Sequence, residues 1–268
     1  MKKTSRAFVF VVICAAVLIG AYVWFTQQQP APAPQAEPAA PAPSAPPQIQ
    51  PQAAPVPPPI QHPLEPAAAE EPLPTVQDSD TRVSQALSAL FGKDVWQTLF
   101  IPEQIVRHIV ATVDNLPRSE APSRMWPVRP AGGWMQTSSQ DGQLRLAPAN
   151  AARYAPYVRL VQAADTDRLA AIYRQLYPLF QQAYVDLGYP DGYFNDRLVA
   201  AIDDLLAAPE LSEPPALAQQ KVRYQFADPD LERRSAGQKI MMRIGADNER
   251  IVKEKLRQFR TAITKTAH

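Results

Sequence analysis

Cysteine is all but missing from these 268 residues; Cys14 is the only one. No disulfide can staple the chain. With only three histidines, His62, His108 and His268, no His/Cys cluster of the zinc-holding kind is available either. No metal and no cofactor is therefore expected. Glycine is scarce, at nine residues, and none lies in G-x-S-x-G, G-x-x-x-x-G-K-[ST] or G-x-G-x-x-G. A histidine-based triad would have to use His108, which has no candidate nucleophile near it and reads as a partly buried polar side chain. Charge of one sign is lacking too: 27 Lys and Arg stand against 26 Asp and Glu, so bulk composition gives no pointer to nucleic acid.

What the chain does have is proline, at 30 residues, and one long apolar run. Residues 1–6 form a basic leader with Lys2, Lys3 and Arg6, and residues 7–25 carry no charge. At ~1.5 Å per residue that run matches a hydrocarbon core of about 30 Å. Tyr22, Trp24 and Phe25 end it, as interface aromatics do, and the next basic residue is Arg82. The expectation is a membrane anchor at residues 7–25, with the N-terminus cytoplasmic and the rest outside. Ile19-Gly20-Ala21 offers a weak cleavage motif, but the run is long for a signal peptide. Residues 26–78 follow as a Pro/Ala-rich linker whose composition cannot build a core; a disordered, extended spacer is expected. Docking of a partner onto that strip is the sharper alternative.

Residues 79–268 read as one globular, mainly α domain with a small β-hairpin. Asp78-Ser79-Asp80 offers caps for a helix through Val83, Leu87 and Phe91, closed by Gly92. Pro102 suits the first turn of the next, with Ile105, Ile109 and Val113 on one stripe. Trp134–Thr137 and Gln143–Leu146 are expected to pair across Ser139–Gly142. The strongest helical period spans Leu169 to Leu187, with Tyr173, Tyr177, Phe180 and Tyr184 flanking the apolar arc; these tyrosines read as core. Pro178 predicts a kink or break, and Gly188 a stop. Tyr189-Pro190-Asp191-Gly192 is a turn, and a second helix buries Phe194, Leu198, Ala201 and Ile202. Val222–Phe226 alternates as a strand, Asp228-Pro229 starts a helix, residues 236–244 form another, and Asp247 is the expected cap of the last.

Two clusters are candidate binding surfaces. Around the turn, Tyr189, Asp191, Tyr193, Asn195, Asp196 and Arg197 supply a dense polar set for a ligand. The plainer reading is that acidic residues at a helix start favour its N-terminus. On the last helix, the stripe Val252–Leu256–Phe259–Ile263 faces inward. Most of its cations, Lys253, Lys255, Arg257 and Arg260 among them, then stand in water, where they suit an anionic partner. No catalytic residue emerges.

Val110-Ala111-Thr112-Val113-Asp114-Asn115-Leu116-Pro117-Arg118, Tyr154-x-Pro156-Tyr157-Val158, Leu176-Tyr177-Pro178-Leu179-Phe180-Gln181 through Tyr193-Phe194-Asn195-Asp196-Arg197, Phe226-Ala227-Asp228-Pro229 and Ser235-Ala236-Gly237-Gln238-Lys239 are the longest distinctive strings. Together they resemble the bacterial family of domain of unknown function 3014, over residues 79–260. The resemblance implies an inner-membrane-anchored envelope protein and carries over no catalytic residue. The expected function is a non-catalytic, membrane-tethered periplasmic domain that binds an envelope protein or a cell-wall component. An envelope enzyme or small-ligand binder using the Tyr189–Arg197 turn is the alternative.

Overall fold

The computed structural model describes residues 59–65, 72–220 and 223–265. The expected anchor and most of the expected linker lie outside those residues. No helix among the described residues is long and apolar enough to cross a membrane.

The fold is mainly helical. Its helices are α1 (Asp80–Phe91), α2 (Lys93–Leu99), α3 (Ile105–Asn115), α4 (Ala155–Ala163), α5 (Thr166–Asp186), α6 (Phe194–Leu206), α7 (Pro229–Glu232), α8 (Ala236–Ile244) and α9 (Ala246–Thr264). Two antiparallel hairpins accompany them: β1 (Thr137–Gln140) with β2 (Gln143–Leu146), and β3 (Leu217–Gln220) with β4 (Arg223–Phe226). A single bridge, Arg145 to Ala216, brings β2 beside β3. The first hairpin is tighter than expected. It turns on Asp141-Gly142, both with positive φ, so Ser139 and Gln140 join the strand and Trp134 stays outside it.

The main core lies where α1, α3, α5, α6 and α9 meet; Val83, Ile105, Val110, Leu176, Phe194 and Ile263 are all buried there. The α5 helix is its axis. Eight of its residues are buried, among them Tyr173, Tyr177, Phe180 and Tyr184, so the aromatic flank is core as its spacing predicts. The helix runs through Pro178 without the expected break. A proline inside a helix costs about 3 kcal/mol or more, whereas each large apolar side chain buried on this axis contributes about 1.5–3 kcal/mol. Packing on both sides of Pro178 therefore holds the helix together. Leu187 departs from its predicted stripe: it is the residue after the helix and is 43% exposed.

Caps also differ from expectation. Ser79 makes no side-chain cap bond to α1 and donates instead to the Val76 carbonyl, at 2.7 Å. The Asp80 carboxylate caps a different helix, accepting from the main-chain N–H of Gln104 (2.7 Å) and Ile105 (3.1 Å) at the start of α3. Pro102 therefore lies ahead of α3, not inside its first turn. Asp247 is not the cap of α9; Gly245 holds that position and Asp247 sits in the first turn, paired with Arg250. Asp228 and Ser235 do cap, accepting from Asp230 N–H (2.8 Å) and Gln238 N–H (3.1 Å).

Arg153 pins the end of the irregular stretch before β1. Arg153 donates to the carbonyls of Ala131 (3.2 Å), Gly132 (3.0 Å) and Gly133 (2.9 Å) and to Asn150 Oδ1 (3.0 Å). Asn150, fully buried, continues the chain of contacts to Gln136 N–H and the Arg243 carbonyl.

Candidate functional site

The turn between α5 and α6 is held by aromatic stacking and by one glutamine. Tyr184 and Tyr189 stack with ring centroids 4.5 Å apart. Gly192 lies against them: a Cβ there would come within 2.8 Å of Tyr184 Cε1 and 2.9 Å of Tyr189 Cβ. Gln181 donates to the Gly192 carbonyl (2.8 Å) and accepts from Phe194 N–H (2.8 Å) and Tyr177 Oη–H (3.0 Å). One side chain thus supplies the missing cap of α6 and anchors the turn to α5.

The six polar residues expected to meet at one ligand do not converge. They divide into three groups. Asp191 is exposed at the turn. Tyr189 and Arg197 face Asp114 on α3, whose side chain is only 7% exposed. Arg197 Nε donates to Asp114 Oδ1 (3.0 Å), Arg118 Nη2 to Asp114 Oδ2 (2.7 Å) and to Tyr189 Oη (2.6 Å), and Tyr189 Oη–H to Asp114 Oδ2 (3.3 Å). Arg197 also reaches the Asp114 carbonyl. This is a closed cluster that ties α3 to the turn; Asp114 holds the Arg118 guanidinium pKa above its ordinary value.

Tyr193, Asn195 and Asp196 form the third group, and they do bind something: residues 61–64 of the same chain. Asp196 accepts from two successive main-chain N–H groups, those of Gln61 (2.9 Å) and His62 (2.7 Å). Asn195 donates to the carbonyls of His62 (2.9 Å) and, from α9, Ile263 (3.3 Å), while its Oδ1 accepts from Tyr173 Oη–H (3.1 Å). Tyr193 Oη accepts from Leu64 N–H (2.8 Å) and donates to the Leu64 carbonyl (3.3 Å). Leu64 is 7% exposed and belongs to the main core. The expectation of a solvated spacer up to residue 78 is therefore corrected. Residues 59–65 lie on the domain, Val76 is buried in its core and Leu73 packs against it.

Three of the four basic residues singled out on α9 are engaged by other elements of the protein. Lys253 is 3% exposed; its Nζ donates to the Ala208 carbonyl (2.6 Å) and lies 3.1 Å from both Glu210 and Glu249. Lys255 donates to the Ala164 carbonyl (2.8 Å), capping the C-terminus of α4. Arg260 grips Asp203 through two parallel bonds, at 2.6 and 3.0 Å. Only Arg257 of the four is exposed, beside Glu254 at 3.6 Å. Lys253 departs from the expectation that most of these cations face water, because the helix lies against α4, α5 and α6 on more than one side, whereas Arg250, Arg257 and Lys265 are exposed.

The other candidates resolve as structure. Asp204 accepts from Ser235 Oγ–H (2.6 Å) and Gln238 Nε2 (2.9 Å), and the backbone N–H groups of Ala236 and Gly237 donate to the Arg118 and Leu116 carbonyls. His108 is half-buried, as its place beside the α3 stripe predicts. Sequence reasoning missed an open groove of about 1000 Å³ lined by Arg124, Trp126, Trp134, Arg223, Tyr224 and Arg243 among others. Trp134 is 89% exposed at its rim. Two tryptophans within an irregular stretch were the available signal.

Residues 105–260, covering α3 to most of α9, match the family described as protein of unknown function DUF3014, and the chain belongs to that family. No curated protein and no solved structure matches the chain.

Proposed function

We propose that this DUF3014 chain is a non-catalytic interaction domain of the bacterial cell envelope, anchored in the inner membrane by residues 7–25. The Pro-rich segment carries the domain on the periplasmic side. The basic leader, the charge-free run and the lack of further basic residues before Arg82 support that topology. One observation carries the functional reading. Five of the six polar residues of the turn are committed to protein groups, Asp114 on one side and main-chain atoms of residues 61–64 on the other. A set so arranged recognises polypeptide; it does not frame a cavity for chemistry. The test is topological. A reporter active only outside the cytoplasm, fused after His268, is expected to work, and the chain is expected to stay with membranes after alkaline washing. An inactive reporter, or release of the chain by the wash, overturns the tethered reading.

The groove beneath Trp134 favours a second reading, binding of a cell-wall component. An exposed indole offers a flat apolar face, and Arg124 and Arg223 at the same groove suit carboxylates. Cell-wall fragments bearing carboxylates are expected to change the tryptophan emission of the wild type, and Trp134→Ala is expected to abolish that change.

A further inference from the structure

The seat that receives residues 61–64 has the attributes of a peptide-recognition site. Five hydrogen bonds hold the segment, and each engages a main-chain atom of it: the N–H groups of Gln61, His62 and Leu64 and the carbonyls of His62 and Leu64. Pro63, between them, has no N–H to leave unpaired, and it biases His62 to an extended backbone. Gln61 and Pro63 are exposed and His62 is half-buried; only the Leu64 side chain is buried. Main-chain bonds that ignore side-chain identity, joined to one apolar pocket that does not, are how extended peptides are read. The seat itself is stiff. Asn195 is fully buried and fixed from its other side by Tyr173 and the Ile263 carbonyl. Tyr193 lies beside Tyr177, with ring centroids 5.6 Å apart.

We propose that Tyr193, Asn195 and Asp196 form a recognition site for an extended segment of the pattern x-x-Pro-Leu, filled in the free chain by its own residues 61–64 and open to such a segment from a partner protein. This deepens the reading of the chain as an interaction domain by naming the partner's chemistry. The chain's own segment is covalently attached and so competes at an effective concentration on the order of millimolar. A partner segment binds only to the fraction of molecules whose seat is free, and its apparent affinity falls by that fraction. The chain's own segment thereby sets a threshold for partner binding.

The test uses the purified full-length chain in detergent and a fluorescent peptide of residues 58–66. The chain with Leu64→Ser, which weakens the resident segment, is expected to bind the peptide at least tenfold more tightly than the wild type. Adding Asp196→Ala to that variant is expected to abolish binding, and a peptide with Ser in place of its leucine is expected not to bind. Absence of peptide binding by a folded Leu64→Ser chain overturns the proposal. So does equal binding by both chains that ignores Asp196→Ala. If Leu64→Ser does not fold, amide exchange in the wild type decides. Excess peptide is expected to speed exchange at Gln61, His62 and Leu64, and unchanged rates overturn the proposal. A concentration-dependent doubling of mass in the wild type, suppressed by Leu64→Ser, would place a second copy's segment in the seat and overturn the partner assignment. These readouts do not depend on membrane topology, so they stand or fall separately from the fractionation test.

Discussion

Arg197 and Asp114 form an ion pair at 3.0 Å that joins the start of α6 to the end of α3, with the carboxylate almost completely out of water. Arg118, four residues along from Asp114, takes the other oxygen at 2.7 Å. Two arginines and the Tyr189 hydroxyl therefore surround one buried charge. Removing the charge leaves Arg197 without its partner in a half-buried position. We expect Asp114→Ala to cost about 3–5 kcal/mol, the range for breaking a buried pair from one side. Arg118→Ala, which removes the more exposed partner, should cost about 1 kcal/mol or less, nearer the surface range. Urea unfolding of the two variants checks this; equal costs would mean the cluster is not organised around Asp114.

The residues before α1 contribute to stability, which their composition hides. Leu64 and Val76 are buried in the main core. Taking away a buried leucine costs about 2–5 kcal/mol. A chain starting at residue 72 is therefore expected to melt lower than one starting at residue 59, and to remain mainly helical by circular dichroism. Identical melting of the two chains would show that residues 59–65 add nothing to the fold.

The helical centre is legible in the sequence because its signal is local. A 3.6-residue period through Tyr173, Leu176, Phe180 and Tyr184 needs no knowledge of the partner surfaces. The helix start at Asp228-Pro229 is local in the same way. What escapes is set by distant residues. Asp80 looks like a cap for its own helix and serves α3, 24 residues on. Lys253 reads as solvated by type, yet Glu249, Glu210 and the Ala208 carbonyl neutralise it inside. Leu64 sits within a proline-rich average that reads as spacer. At the turn, the sequence marks Tyr193, Asn195 and Asp196 as a polar group, but not that their partner is residues 61–64 of the same chain. Strand β3 is too short and too polar in Gln219 and Gln220 to show its alternation.

Glu249 and Lys253, one turn apart on α9, give a pH dependence with a definite sign. Burial raises the Glu249 carboxyl above its ordinary pKa; Lys253 opposes that and Glu210 adds to it. The folded chain thus holds this proton more tightly than the unfolded chain, whose glutamates titrate at about 4.3. Stability from this group is greatest below that value and is lost as pH rises through the raised folded value. Glu249→Gln removes the titration. The stability of the wild type relative to Glu249→Gln is expected to fall between pH 4 and 7 in urea unfolding. A relative stability that rises over the same range would show that Lys253 outweighs burial.

Three tyrosines make the opposite end of the pH scale informative. Tyr173, Tyr177 and Tyr184 are 7%, 4% and 6% exposed, and burial raises the pKa of each, with Tyr193 adding to the effect at Tyr173 and Tyr177. In the unfolded chain each titrates at about 10. Below that pH both states keep the protons and nothing changes. Above it the unfolded chain releases protons that the folded core retains, so stability falls as pH rises. Each retained proton contributes a slope of about 1.4 kcal/mol per pH unit once the unfolded phenol is fully ionised, so Tyr173 and Tyr177, the two most strongly raised, together approach about 2.7 kcal/mol per unit, with Tyr184 adding in the same direction. The expected outcome is a steep loss of thermal stability between pH 10 and 11.5, with the tyrosinate absorbance of these residues appearing only as the chain unfolds. Tyr177→Phe keeps the ring and its stacking but removes one titrating group and the bond to Gln181. It is expected to lower stability at pH 8 by about 1 kcal/mol, the usual net worth of one hydrogen bond. It should also flatten the alkaline slope. A melting temperature that is flat above pH 10, or a Tyr177→Phe slope equal to that of the wild type, would count against burial as the cause.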